Sequence, residues 1–99
     1  MGEGQGGSRP VAPRRYRVEL RPAAERALRK IARPDQRRIR DRIDALADDP
    51  HPAGVKPLQG SSEGLLRIRV GDYRVIYLVK DDLLLVVVVR IGHRREVYR

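Results

Sequence analysis

The sequence predicts an α+β domain in which an N-terminal strand and a two-helix hairpin pack on a small, curved, mainly antiparallel β-sheet. Three observations predict it. From Leu65 to Arg99 the chain reads LLRIRVGDYRVIYLVKDDLLLVVVVRIGHRREVYR, three apolar, β-rich segments separated by two short polar turns. Between residues 22 and 47 apolar residues recur every three or four positions, the period of amphipathic helices. Ahead of them Tyr16, Val18 and Leu20 alternate with Arg17 and Glu19, which places the first three on one face of a strand.

Residues 1–14 are rich in Gly, Ser, Pro and Arg without periodic hydrophobics, so they are expected to form a flexible basic tail ahead of one domain at 15–99. Pro22 suits the first turn of a helix, and Ala24, Ala27, Leu28 and Ile31 give it an apolar stripe that ends near Ala32. Pro34 opens a second helix along Ile39, Ile43, Leu46 and Ala47, with Asp35 in the first turn, where the helix dipole favours an anion. Asp48-Asp49-Pro50-His51-Pro52 stops it, because proline cannot continue a helix and restrains the residue before it. A loop to about Gly64 follows, with Val55 and Leu58 as apolar anchors.

The sheet begins after Gly64. Leu66, Ile68 and Val70 share one face of a strand, so Arg67 and Arg69 share the other. Gly71-Asp72 is a tight connection to Tyr73 through Val79, which pairs antiparallel with the preceding strand. Asp81-Asp82 turns the chain again. Leu83 through Val89 lacks alternation, as expected of a central strand buried on both faces, and delivers Arg90 to the rim. Gly92 breaks that run, and His93 to Arg99 reads as a polar end segment, a loop or a short strand.

The 99 residues include 22 Lys plus Arg against 13 Asp plus Glu, a net charge of +9, with a pI near 11.0. One domain of this length buries on the order of two-thirds of its unfolded surface, enough for a single two-layer core, so function is expected on the surface. The cationic excess favours an anionic partner. Membrane residence is not expected, because the longest apolar run, Leu83 to Val89, is far short of the roughly 20 residues of a spanning helix. MGEGQGGSRPVAPRR has no apolar core of a secretory signal, which favours the cytoplasm. There is no cysteine, and the two histidines, His51 and His93, are isolated, so neither a metal nor another cofactor is expected.

For most arginines a solvated surface charge is the ordinary reading, and the shared strand face raises Arg67 and Arg69 above it. The helix charges Arg26, Arg29, Lys30, Arg37, Arg38, Arg40 and Arg42 read mainly as a solvated face. Tyr73 and Tyr77 have the parity of Val75 and Val79, which favours packing over base stacking. With four tyrosines and no Phe or Trp, the chain lacks the aromatic platforms of autonomous single-strand binders.

The order of strand, helix hairpin, loop and three-stranded meander, with GDYRVIY at 71–77, IGHRREVY at 91–98 and KPLQG at 56–60, resembles the RelE/ParE superfamily of toxins over about residues 15–99. Resemblance to its RelE branch implies a small domain that enters the ribosomal A site, cuts messenger RNA, and so inhibits translation and arrests growth. It also implies silencing by a cognate antitoxin, contact with ribosomal RNA, and contact with operator DNA only through the antitoxin complex. The family's two basic strand positions match Arg67 and Arg69, its Tyr-Arg dipeptide matches Tyr73-Arg74, and its catalytic arginine and tyrosine match Arg94 and Tyr98. Lys56, Arg90, Arg95 and His93 are the further RNA-contact candidates.

The implied reaction uses the RNA's own 2′-hydroxyl as nucleophile. It requires in-line alignment, neutralisation of the charge building on phosphorus, and proton transfer at both ends. Planar, bidentate guanidinium groups of Arg67, Arg69, Arg74 and Arg94 suit the neutralising task. Some RelE members carry lysines where this chain has Arg67 and Arg69. An arginine, with pKa above about 12, does not shuttle protons; Tyr98 is the candidate general base and His93 a reserve acid. Two other functions compete. One is ParE-like poisoning of DNA gyrase on the same fold, since a fold does not decide function; the other is a non-catalytic module that binds nucleic acid or a partner through charge alone.

Overall fold

Two proline-started helices cover one face of a five-stranded sheet. The computed structural model describes residues 15–60 and 63–97; the expected tail at 1–14 lies outside the described residues, as do Ser61, Ser62, Tyr98 and Arg99. Strand β1 (Arg17–Leu20) leads into α1 (Pro22–Lys30), which has proline in its first turn, Glu25 near its start and Arg29 and Lys30 in its last turn. All three suit the helix dipole. Helix α2 (Arg33–Ala45) follows after two residues. The joint is held by Gln36, whose side-chain amide donates to the Leu28 carbonyl at 2.8 Å.

The remaining strands are β2 (Lys56–Pro57), β3 (Leu66–Val70), β4 (Tyr73–Lys80) and β5 (Leu85–His93), and the sheet order is β1-β5-β4-β3-β2. Among the described residues only the β1–β5 pairing is parallel. The expected α+β class and mainly antiparallel sheet are therefore present. Ala24, Leu28, Ile39, Ile43 and Leu46 of the helical layer meet Ile68, Val70, Val75, Tyr77, Val86, Val88 and Ile91 in one core. The interior position of β5, between β1 and β4, accounts for its unbroken apolar run: Leu85 to Val88 are all buried.

The Gly71-Asp72 connection is a two-residue hairpin turn, with Val70 opposite Tyr73 and Gly71 at φ +61°. A positive φ at the first turn position matches the twist of the flanking strands, and glycine adopts it without a Cβ penalty. The turn is also tied to the C-terminal end of β5 beside it, because the Arg94 amide donates to the Asp72 carbonyl at 2.8 Å.

Three expectations are corrected. The loop before Gly64 contains β2, two residues paired with Leu66 and Arg67, where a proline obscures the strand signal. The last strand begins at Leu85, not Leu83, because Asp81–Leu83 form a 3₁₀ turn and Leu84 takes the left-handed conformation at φ +49°; it also runs through Gly92 to His93. Of the polar end segment expected as a loop or short strand, His93 closes β5 and the next four residues form one helical turn, α3 (Arg94–Val97). Among the described residues no helix is long and apolar enough to cross a membrane.

Tyr77 is fully buried, and its phenol donates to the Pro50 carbonyl at 2.8 Å, pinning β4 to the segment that ends α2. Burial, and then the nearby Asp49 carboxylate, push its pKa up from 10.0 to about 12. The fold holds the neutral phenol, so this contribution to stability is whole below the unfolded value near 10 and is lost as pH rises through about 12. Melting temperature is expected to fall across that window more steeply in the native protein than in Tyr77→Phe. Equal slopes would assign the alkaline limit to other groups.

Candidate active site

The face of the sheet turned away from the helices carries the cations. On β3, Ile68 and Val70 point into the core, which turns Arg67 and Arg69 to the far side. Cross-strand register then sets Arg69 directly opposite Arg74 and Lys56 directly opposite Arg67. Like charges facing each other in this way destabilise a sheet by a few tenths to about 1 kcal/mol per pair. The fold holds two such pairs side by side.

Arg74 is the centre of the group. Its residue is 7% exposed, and its guanidinium donates to the Tyr73 carbonyl at 3.3 Å. Its pKa is lowered by burial first, then by the positive charges of Arg69, Arg67 and Arg94, with Asp72 acting in the opposite sense. Three of the arginines singled out in the sequence, Arg67, Arg69 and Arg94, thus act electrostatically on the fourth, Arg74. Arg94 reaches this neighbourhood because its backbone is tied to the Gly71-Asp72 turn, while its side chain stays exposed.

A cavity of about 330 Å³ opens beside Arg74, lined by Arg67, Ile68, Arg69, Lys56, Ala53 and Gly54 and, from α2, by Arg42. Sequence reading left Arg42 in the solvated helix face. It lies one position before the buried Ile43, at the border of the apolar stripe, but the hairpin carries many such arginines and only the placement of α2 across β3 distinguishes this one.

A bulge decides the position of two other candidates. Ile76 pairs with Arg90 and Tyr77 with Val88, so Val89 is an extra residue in β5. Beyond it the parity of the strand inverts. Arg90, opposite Ile76, joins the arginine face, whereas Ile91 and His93 turn to the helix side. There His93 stacks edge-on against Tyr73, ring centroids 5.6 Å apart at 78°, and its Nδ1 accepts from the Arg95 amide at 3.4 Å. His93 is thus brought away from the arginines. Arg95 is exposed on α3, and Tyr98 lies outside the described residues. Among the described residues no three His, Asp or Glu side chains come together as a metal-binding group.

Residues 18–98 match the family model described as the ParE toxin of the type II toxin-antitoxin system parDE. Toxin RelE of Mycobacterium tuberculosis is 43% identical over 54 residues, which are 54% of this chain and 55% of that protein. Toxin RelG of the same organism is 39% identical over 44 residues, covering 44% and 51%. The chain spans about half the length of these curated relatives. In three dimensions it is similar to a chain of the archaeal RelE-RelB complex from Pyrococcus horikoshii OT3, with a TM-score of 0.70 and 31% identity over 80% of this chain and 94% of that one. A chain of the RelBE2 toxin-antitoxin complex from M. tuberculosis gives a TM-score of 0.71 and 28% identity over 81% and 92%. With a two-helix layer on a five-stranded sheet, an arginine face in register, and a family match across 18–98, the chain belongs to the RelE/ParE superfamily of type II toxins and is RelE-like.

Proposed function

We propose that the protein is a ribosome-dependent endoribonuclease that cleaves messenger RNA in the ribosomal A site. The observation that carries this reading is the buried Arg74 within a field of three further arginines, an arrangement suited to a phosphodiester whose negative charge grows during reaction. The 2′-oxygen attacks the adjacent phosphorus as Tyr98, acting as the phenolate, takes its proton and becomes the phenol. The bond to the 5′-oxygen breaks and that oxygen takes a proton from solvent, leaving a 2′,3′-cyclic phosphate and a free 5′-hydroxyl. Arg67, Arg69, Arg74 and Arg94 hold the non-bridging oxygens, with Lys56, Arg90 and Arg95 on flanking phosphates. His93 is given no part, since its ring packs against Tyr73 on the helix side.

The scarcity of aromatic residues fits a substrate presented by the ribosome more than one gripped by the protein alone. The RelE-RelB complexes among similar structures support a cognate antitoxin, expected to cover the basic face with acidic and apolar side chains. Operator DNA would be reached through that complex, and the setting is cytoplasmic.

The test is to incubate the protein with ribosomes programmed with a defined message, and with the same RNA free, and to map the new 5′ ends. Cuts on ribosomes alone are expected, and Tyr98→Phe is expected to remove them without unfolding the protein. The family model's ParE description favours gyrase poisoning as the second reading. Intact message together with broken DNA in treated cells would select it.

A further inference from the structure

The cavity beside Arg74 has more cations than one scissile phosphate requires, and two of them come from elements outside the β3–β4 hairpin. Arg42 is supplied by α2 and Lys56 by β2, and together with Arg67, Arg69 and Arg74 they line about 330 Å³. Among the described lining residues there is no carboxylate. The volume lies near the lower end of small-ligand pockets, roughly 300–1,000 Å³, and equals that of about ten water molecules. The cavity is therefore roomier than one phosphate ion requires and is walled by donors of one sign.

Its cations are set against one another in register: Arg69 faces Arg74, Lys56 faces Arg67, and Arg74 is withdrawn from solvent. An anion in the cavity would be drawn to all of these groups together, because guanidinium and ammonium groups donate strong, charge-assisted hydrogen bonds to phosphate oxygens. Binding to the folded state alone raises its stability by mass action.

We propose that this cavity is a standing phosphate site, occupied by phosphate dianions in the free protein without ribosome or message, with Arg42 and Lys56 as its outer ligands. The inference rests on the reading of the arginine face as a phosphate site, and not on cleavage itself. The free protein is accordingly stabilised by inorganic phosphate and by nucleoside monophosphates, and these compete with the message for the site.

The experiment is thermal unfolding of the purified full-length chain at constant ionic strength as chloride is replaced by inorganic phosphate, and separately by adenosine 3′-monophosphate. A saturable rise in melting temperature is expected. Arg42→Gln, at an exposed position of α2, is expected to raise the half-saturating phosphate concentration about five- to tenfold, and Lys56→Gln to act in the same direction. Arg33→Gln, at the start of α2 and outside the cavity lining, is expected to leave it unchanged. Half-saturation at lower nucleotide than phosphate concentration would assign the cavity to a nucleotide, and equal values to the phosphate group alone; either supports the site. A rise that never saturates, or one equally large in Arg42→Gln and Lys56→Gln, would mean general screening and overturn the proposal. Phosphate binding without cleavage on ribosomes would leave this inference standing and remove the nuclease reading; cleavage without phosphate binding would do the reverse.

Discussion

Arg94→Ala is expected to lower the rate of message cleavage on programmed ribosomes by about two to three orders of magnitude, the usual cost of removing one charge-stabilising donor. The fold should not notice. The Arg94 side chain is exposed, and the contact that positions it is made by its backbone amide to Asp72, which alanine retains. Exposed substitutions of this kind usually stay within about 0.5 kcal/mol of neutral. Removing Arg74 would be a poorer test, because it empties a buried position and relieves repulsion from its neighbours in the same step. Single-turnover cleavage on saturating ribosomes separates chemistry from binding. A rate within a few-fold of the native protein would exclude Arg94 from the reacting centre.

The largest effect on stability is expected from Leu28→Ala. Leu28 is 1% exposed at the centre of the helix–sheet core, where α1 lies across β5. Its truncation should cost about 2–5 kcal/mol from lost transfer energy and the residual cavity, set against a total of about 5–15 kcal/mol for a domain. The helix joint is not broken in this variant, since Gln36 and the Ile31 amide bond to the Leu28 backbone carbonyl, at 2.8 and 3.2 Å. Leu83→Ala supplies the comparison, because the same side chain is 62% exposed in the 3₁₀ turn before β5. Urea unfolding of the two variants should differ by nearly the whole effect. Similar midpoints would show that the α1–β5 contact is not where the stability resides.

What was legible in the sequence divides along physical lines. Helices α1 and α2 were legible because proline fixed their starts and isoleucine and leucine spacing fixed their buried faces. The parity of β3 was legible because arginine and apolar residues alternate without interruption, and with it came the arginine face. Strand β5 carried no such alternation. Its residues at 85–88 are all buried, so nothing local marked which way each pointed, and the bulge at Val89 that swaps the sides of Arg90 and His93 left no signature among consecutive valines. For that reason the sequence did not show that His93 lies on the side of the sheet opposite the arginines. Arg42 was illegible for a different one: its importance depends on which part of the sheet α2 crosses, a long-range fact that helix periodicity does not contain.

The parallel pairing of β1 with β5 bears on the order in which the molecule assembles. The β3–β4–β5 meander joins neighbours through short turns, whereas Arg17 must find Leu85 across nearly the whole intervening chain. Closing so long a loop costs entropy before any contact repays it. The meander, and the arginine face it carries, is therefore expected to form early, and β1, an edge strand of four residues, to dock late. Weakening β1 should consequently hasten unfolding far more than it slows folding. On that order of assembly, the strands that carry the arginine face and the strand that closes the sheet belong to different kinetic halves of the same fold.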